Sequence, residues 1–166
     1  MRIDEMTSSH LSTSWSVRMS HHSTLPVPPS LIDLDATFLP VAQMRQIARV
    51  TALEGGRIEG EVDLGPDHWV WEQHFPGDPI FPGTLQIEAA GQLIALWAWS
   101  QGQRGRPRLV RTSAEFHSPV GQWAPSLLLK GDVRRKRHLN FGSVQIVSEG
   151  TLVATVEAVL VVLPPS

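Results

Sequence analysis

The sequence has 166 residues, of which 42% are hydrophobic, and its formal net charge is −2. This size and composition suit one globular domain with a buried core, and they exclude a largely disordered chain. Cysteine is absent, which excludes a disulfide framework and thiolate metal sites and favours a reducing, cytoplasmic location.

The first 24 residues, MRIDEMTSSHLSTSWSVRMSHHST, are rich in Ser, Thr and His and show no sustained hydrophobic period. We interpret residues 1–24 as a flexible N-terminal arm and residues 25–166 as a single domain. The histidines of the arm lack the spacing of a defined metal site, so no metal is predicted there. No stretch approaches the roughly 18 apolar residues of a membrane span, and the N-terminus lacks the apolar core of a secretory signal.

Between Ile47 and Leu64, apolar and polar residues alternate on both sides of Gly55-Gly56, which predicts a β-hairpin with a glycine turn. The run TLQIEAAGQLIALWAWSQG then follows Pro82 and Gly83 and predicts a helix of about 18 residues. Because this run is apolar nearly all round, the helix is expected to be buried.

Four further strands are predicted after the helix. Turn signals at SPVGQ and SEGT separate them, and the last run is rich in β-branched residues. The sequence therefore predicts an α+β fold in which an antiparallel sheet of about six strands covers one helix. The four strands are expected at roughly Arg108 to Glu115, Pro125 to Lys136, His138 to Val147 and Thr151 to Leu163.

Two titratable residues flank the start of the predicted helix. His74 begins the segment HFPGDPIFPG, where three prolines and two glycines restrict the backbone and suit a base whose position must be preorganised. Glu88 lies about one and a half turns into the apolar helix, where desolvation favours the neutral, proton-donating form that a general acid requires. The two residues are thus candidate catalytic groups.

Other residues near the helix start complete a candidate site. The amide of Gly83 lies at the helix N-terminus, where unpaired N–H groups and the macrodipole favour developing negative charge on a substrate oxygen. Gln92, one turn after Glu88, either orients a catalytic group or satisfies a buried carbonyl. A base, an acid and an oxyanion donor together suit abstraction of an α-proton with departure of a β-substituent.

The segment HFPGDPIFPGTLQIEAAGQL resembles the active-site segment of the β-hydroxyacyl-[acyl-carrier-protein] dehydratases. The likeness includes the histidine, the Pro-Gly pair, the acid 14 residues after the histidine and the glutamine four residues beyond. The flanks LPVPPSLIDLD, GEVDLGPDHWVWEQ and EGTLVATVEAVLVV resemble the β-hydroxydecanoyl type. That type has aspartate where this chain has Glu88, and glutamate is typical of the plain dehydratases, so dehydration without isomerisation is expected.

This resemblance implies a hotdog fold and a homodimer with active sites at the subunit interface. It implies that His74 of one subunit removes the C2 proton of a (3R)-hydroxyacyl thioester while Glu88 of the other protonates the departing hydroxyl. Gly83 would hold the thioester carbonyl. The substrate would arrive on the phosphopantetheine arm of an acyl carrier protein, in fatty-acid or polyketide biosynthesis, and neither a metal nor a redox cofactor is implied.

A basic segment suggests where the carrier protein binds. Nine of the 14 Lys and Arg residues lie between Arg104 and Arg137, where Glu115 and Asp132 are the only acids. Since acyl carrier proteins are acidic, this charge favours docking there. The candidate docking residues are Arg104, Arg106, Arg108, Arg134, Arg135, Lys136 and Arg137.

Three other readings are compatible with the same residues. A dehydratase/isomerase or a hotdog thioesterase would act on the same kind of thioester, and a catalytically silent acyl-binding protein would only hold it. A nucleic-acid module is disfavoured because the run RRKRH lacks interleaved aromatic residues and a reading helix.

Overall fold

The computed structural model describes residues 39–164. The predicted arm, residues 1–24, lies outside the described residues, as does the beginning of the predicted domain. The described part begins with a 3-10 turn at Ala42–Met44, followed by six strands and two helices. These are β1 (Arg49–Glu54), β2 (Arg57–Asp63), α1 (Val70–Gln73), α2 (Gly83–Ser100), β3 (Arg106–Phe116), β4 (Ser126–Lys136), β5 (Leu139–Ser148) and β6 (Thr151–Leu163).

The strands form one antiparallel sheet in the order β1-β2-β4-β5-β6-β3. The predicted hairpin, the long helix and the four later strands are all confirmed, with ends shifted by at most two residues. The four-residue helix α1 was not predicted, because so short a segment shows no helical period.

Helix α2 packs against one face of the sheet and lies at the centre of the core, to which the strands also contribute buried residues. Twelve of its residues are buried, among them Trp97 and Trp99. The indole nitrogens of these two tryptophans donate hydrogen bonds to the carbonyl oxygens of Gly55 and Gly105. Burial on nearly every side explains why the helix needs apolar residues all round.

Glycines on the sheet allow α2 to lie close to it. A Cβ at Gly60 would lie 2.9 Å from Leu93 Cδ1, and a Cβ at Gly142 would lie 2.4 Å from Ile94 Cδ1. Both Leu93 and Ile94 are fully buried. The sheet therefore curves around the helix, giving the α+β architecture predicted from the sequence.

Strand β3 forms one edge of the sheet and pairs only with β6 among the described strands. Leu109 and Val110 at its centre are 53% and 57% exposed, and Phe116 at its end is also half-exposed. An edge strand with exposed apolar side chains is a surface suited to pairing with another strand.

None of the helices within residues 39–164 combines the length and hydropathy of a membrane-spanning helix.

Candidate active site

Hydrogen bonds within the proline-rich segment hold His74 in place. The amide of Ile80 donates to the carbonyl oxygen of His74 at 2.9 Å, and Phe75 and Asp78 exchange backbone hydrogen bonds at 3.0 and 2.9 Å. The next amide, that of Phe81, donates to the carbonyl oxygen of Val120 at 2.7 Å. The segment is thus closed on itself and anchored to the chain after β3, as suits a preorganised base.

The imidazole of His74 has one nitrogen bound by the backbone. Its Nδ1 lies 3.0 Å from the carbonyl oxygen of Ile80. Because a carbonyl oxygen only accepts hydrogen bonds, Nδ1 must carry the hydrogen, which leaves Nε2 unprotonated in the neutral ring. The half-buried His74 therefore presents Nε2 as a proton acceptor.

The N-terminus of α2 lies beside His74. The first amides of α2 to donate hydrogen bonds are those of Leu85 and Gln86, both to the carbonyl oxygen of Pro82, so those of Gly83 and Thr84 have no acceptor within residues 39–164. A Cβ at Gly83 would lie 2.7 Å from Phe116 Cζ, so the ring of Phe116 covers this glycine. Only glycine fits beneath that ring without a rearrangement.

His74 and the helix N-terminus line one cavity of about 540 Å³. Its polar side chains include His74, Thr84, Gln86, His117 and Ser118. An acyl thioester in this cavity would meet both a base and two unpaired amides, which is the combination that enolisation of a thioester requires.

Glu88 is held by Gln92. The side-chain nitrogen of Gln92 donates to Glu88 Oε1 at 2.8 Å and to the carbonyl oxygen of Met44 at 2.7 Å. Its oxygen accepts hydrogen bonds from the amides of Gln46 and Ile47 at 2.9 and 3.2 Å. Gln92 therefore contacts the carboxyl group of Glu88 and also bonds three backbone groups of the segment before β1.

Within one chain, His74 and Glu88 do not line the same cavity. Glu88 is half-buried and lines a second cavity of about 290 Å³, together with Gly91 and Gln92. Ile87 is the residue that both cavities share. A Cβ at Gly91 would meet no atom of the described chain within 4 Å, so this glycine leaves open space beside the acid rather than serving helix packing.

The basic residues of the predicted docking surface gather around one end of the sheet. Arg106 and Arg108 line the cavity of Glu88, and Arg104 lies two residues before the start of β3. Cross-strand pairs join Arg108 to Val161, Val161 to Leu139 and Leu139 to Lys136, so the β4–β5 turn with Arg134, Arg135, Lys136 and Arg137 lies along the same end. All seven are exposed, and the ion pairs formed within residues 39–164 involve none of them.

Two cavity residues were missed by sequence reasoning. Gln86 and His117 line the cavity of His74, but neither belongs to the segment pattern that identified the site. Gln86 offered a signal, since it is a polar residue in the first turns of an otherwise apolar helix. His117 offered none, because only the sheet register places the end of β3 beside the helix N-terminus.

One further histidine lies near the site, and no role was predicted for it. His68 is half-buried among aromatic rings, with centroids 5.9 Å from Trp71 and 6.0 Å from Phe81. Its Nδ1 accepts a 3.3 Å hydrogen bond from the amide of Val70. Burial lowers the pKa of His68 below its ordinary value of 6.5, because desolvation disfavours the charged ring.

Among residues 39–164, no group of three or more His, Asp or Glu side chains is arranged to hold a metal ion.

Comparisons with known proteins give the family and the fold of this chain. The family model of the FabA-like domain matches residues 39–157. The dehydratase heterocomplex ApeI:P from Xenorhabdus doucetiae is 16% identical, with a TM-score of 0.63 over 76% of this chain and 88% of that one. A thioesterase from Staphylococcus aureus is 11% identical, with a TM-score of 0.58 over 70% of this chain and 93% of that one.

A third similar structure is the phenylacetic acid degradation protein PaaI from Thermus thermophilus. It is 20% identical, with a TM-score of 0.54 over 69% of this chain and 92% of that one. At these identities the structural matches establish the hotdog fold, which confirms the predicted fold class.

Proposed function

Because this chain belongs to the FabA-like domain family, we propose that it is a (3R)-hydroxyacyl-[acyl-carrier-protein] dehydratase that forms a trans-2-enoyl thioester. The observation that carries the proposal is that a histidine with its Nε2 free and the unpaired amides of a helix N-terminus line one cavity. The proposed chemistry uses only groups of this chain, since the phosphopantetheine arm arrives with the substrate.

The base in this mechanism is His74. Its Nε2 takes the C2 proton of the substrate, while the hydrogen bond from Nδ1 to Ile80 holds the ring in the required tautomer. As the proton leaves, charge develops on the thioester oxygen, and the amide of Gly83 stabilises it together with the helix macrodipole. One such donor contributes about 3 kcal/mol to transition-state stabilisation.

The acid is Glu88 of the partner subunit. Gln92 donates to one oxygen of the carboxyl group, so the proton for transfer lies on the other. That proton goes to the C3 hydroxyl, which departs as water while the electrons of the broken C2–H bond form the C2–C3 double bond. A proton transfer from His74 to Glu88, directly or through solvent, then restores both groups.

A homodimer completes this site. The two candidate catalytic side chains line separate cavities in one chain, and one edge of β3 has no partner strand among residues 39–164 and carries exposed apolar side chains. Pairing of two β3 edges about a two-fold axis would cover these side chains and bring each His74 toward the other subunit's Glu88.

The carrier protein docks, in this proposal, on the basic residues at the end of the sheet, which form no ion pair within residues 39–164. Arg106 and Arg108 lie at the cavity of Glu88, so an acidic carrier bound there would have its phosphopantetheine arm beside the catalytic groups. Exposed cations without acidic partners attract such a surface over about one Debye length, roughly 8 Å.

A mass-spectrometric assay tests the function. Purified protein is offered a series of (3R)-hydroxyacyl carrier-protein thioesters, and loss of water from the acyl group is measured for wild type, His74→Ala, Glu88→Gln and the control Gln145→Ala. Gln145 is exposed on β5, lines neither cavity and lies outside the proposed docking surface. We expect both catalytic variants to lose about 10²-fold or more in rate, with the control unchanged.

The product identifies the competing activities. Release of a free 3-hydroxy acid would support a thioesterase, for which a structural neighbour of that name is the supporting observation. A cis-3-enoyl product would show isomerisation in addition to dehydration. If the wild type binds acyl carrier protein but leaves every thioester intact, the dehydratase proposal is wrong.

A further inference from the structure

A buried glutamine near His74 forms no side-chain hydrogen bond within the described part of the chain. Gln86 is only 3% exposed, and its side-chain oxygen is buried without a partner among residues 39–164. No side-chain hydrogen bond of Gln86 is formed with any described residue, in contrast to Gln92 on the same helix, whose oxygen and nitrogen are both fully used. Leaving a buried amide unpaired costs free energy, so a partner from outside the described chain is expected.

The place of Gln86 points to the substrate as that partner. Gln86 lines the cavity of His74 and lies three residues after Gly83, so both face the same side of α2. Thr84 and His117 line the same cavity but are exposed, whereas Gln86 is buried. An unsubstituted alkyl chain would leave the oxygen of Gln86 unpaired, whereas an oxygenated chain could form a hydrogen bond with it.

The burial of Gln86 favours contact with the acyl chain rather than with the phosphopantetheine arm. The arm must reach solvent to remain attached to its carrier, whereas Gln86 is almost completely buried. One helical turn of about 5 Å separates Gln86 from Gly83, roughly the distance from a thioester carbonyl to the fifth carbon of an extended acyl chain.

We propose that Gln86 is a specificity-determining residue that hydrogen-bonds an oxygen substituent near C5 of the acyl chain. This inference rests on the proposed function for the placement of the thioester at Gly83. The enzyme would then prefer oxygenated acyl chains, as in polyketide-type substrates, over plain alkyl chains.

Binding of two unreactive analogues tests the inference independently of turnover. Octanoyl-pantetheine and 5-hydroxyoctanoyl-pantetheine, each with an amide in place of the thioester and no 3-hydroxyl, are titrated by calorimetry into wild type, Gln86→Leu and Gln86→Met. The control is Gln145→Leu, since Gln145 is exposed and lines neither cavity. Thermal unfolding is measured for each variant.

Wild type is expected to bind the hydroxylated analogue at least about tenfold more tightly, and Gln86→Leu and Gln86→Met to lose this preference. Neither variant should unfold at a lower temperature, because the wild-type side chain has no internal partner to lose. Equal binding of both analogues by wild type overturns the inference. Equal weakening of both in the variants also overturns it, because the contact would then be to the pantetheine arm.

The two proposals fail separately. If wild type prefers the hydroxylated analogue through Gln86 but dehydrates no substrate, the dehydratase function is wrong and the recognition of an oxygenated chain remains. If dehydration occurs without the preference, the function remains and the inference is wrong. A marked loss of stability in both Gln86 variants shows a structural role and also overturns it.

Discussion

Gln92 donates a 2.8 Å hydrogen bond to Glu88 and so connects the candidate acid to the segment that leads into β1. The same side chain accepts the amides of Gln46 and Ile47 and donates to the carbonyl oxygen of Met44. Glu88 is therefore positioned by a glutamine whose own orientation is determined by three backbone groups.

Replacing this glutamine should affect both stability and activity. Gln92→Leu keeps the side-chain size but leaves three backbone groups unpaired, each at about 1 kcal/mol or more, so unfolding free energy should fall by about 3 kcal/mol. Activity should fall about tenfold or more because Glu88 loses its hydrogen-bond donor. Chemical denaturation and a dehydration assay measure the two effects, with exposed Gln145→Leu as the matched control; a stable variant of unchanged activity would refute the positioning role.

The separation of His74 and Glu88 into two cavities can be tested by mixing inactive variants. In a heterodimer of His74→Ala and Glu88→Gln, sites built across the interface include one with both residues intact. If subunits exchange at random, half of the dimers are mixed, so about a quarter of wild-type activity should return. Co-purification of differently tagged chains confirms the mixing. No recovery in verified heterodimers would mean that each chain builds its own site.

These two findings show how far the sequence predicts the site. The spacing of His74, Gly83, Glu88 and Gln92 was recognisable because all four lie in one continuous segment. Local hydrophobic period likewise predicted the helix and strands, since period depends only on neighbouring residues. Which residues share a cavity depends on the packing of distant segments, so the placement of His74 and Glu88 in different sites followed only from the family resemblance and not from the spacing of the residues.

The burial of individual polar residues could not be predicted from the sequence either. Glu88 was expected to be desolvated within the apolar helix, but it is only half-buried, and the space beside Gly91 in the same cavity is open. The unpaired state of Gln86 could be found only from coordinates, since pairing depends on every group around the side chain.

The exposed edge of β3 predicts a variant that separates the subunits. Val110 is 57% exposed and lines neither cavity, so Val110→Lys should leave the fold intact while placing a charge on the proposed dimer edge. We expect a monomer by analytical ultracentrifugation and loss of nearly all activity. Gln145→Lys, on the exposed face of an internal strand, is the control and should stay dimeric. An active monomeric variant would be incompatible with a site shared between subunits.

Reversing charges at the basic end of the sheet should reduce activity on carrier-protein substrates but not on small thioesters. The double variant Arg135→Glu with Arg137→Glu reverses two exposed charges, one at the end of β4 and one in the β4–β5 turn. With a carrier-protein substrate, kcat/KM should fall about tenfold and decline further as salt increases. With an N-acetylcysteamine thioester it should change little. Reversal of Arg57 and Lys130, exposed elsewhere on the sheet, controls for net charge; an equal defect there would indicate a general charge effect rather than docking.

The buried ring of His68 predicts a specific loss of stability in acid. Because burial lowers its folded-state pKa below 6.5, the unfolded chain binds more protons between these two values, so stability rises with pH across that interval. The contribution of neutral His68 to the free energy of unfolding is fully present above pH 6.5, and it is lost as the pH falls toward the folded-state pKa. Denaturation from pH 5 to pH 7.5 should show a weaker pH dependence for His68→Phe than for wild type.

The Phe variant is informative because the neighbours of His68 are aromatic. Phe retains packing against Trp71 and Phe81 and removes both the titrating group and the acceptor for the amide of Val70. Its stability at pH 7.5 should therefore be lower than that of wild type, and the difference should narrow toward pH 5. His138→Gln, in an exposed turn, should keep the wild-type pH dependence. If His68→Phe also keeps the wild-type pH dependence, protonation of His68 does not cause the loss of stability in acid. Other titratable groups must then cause that loss.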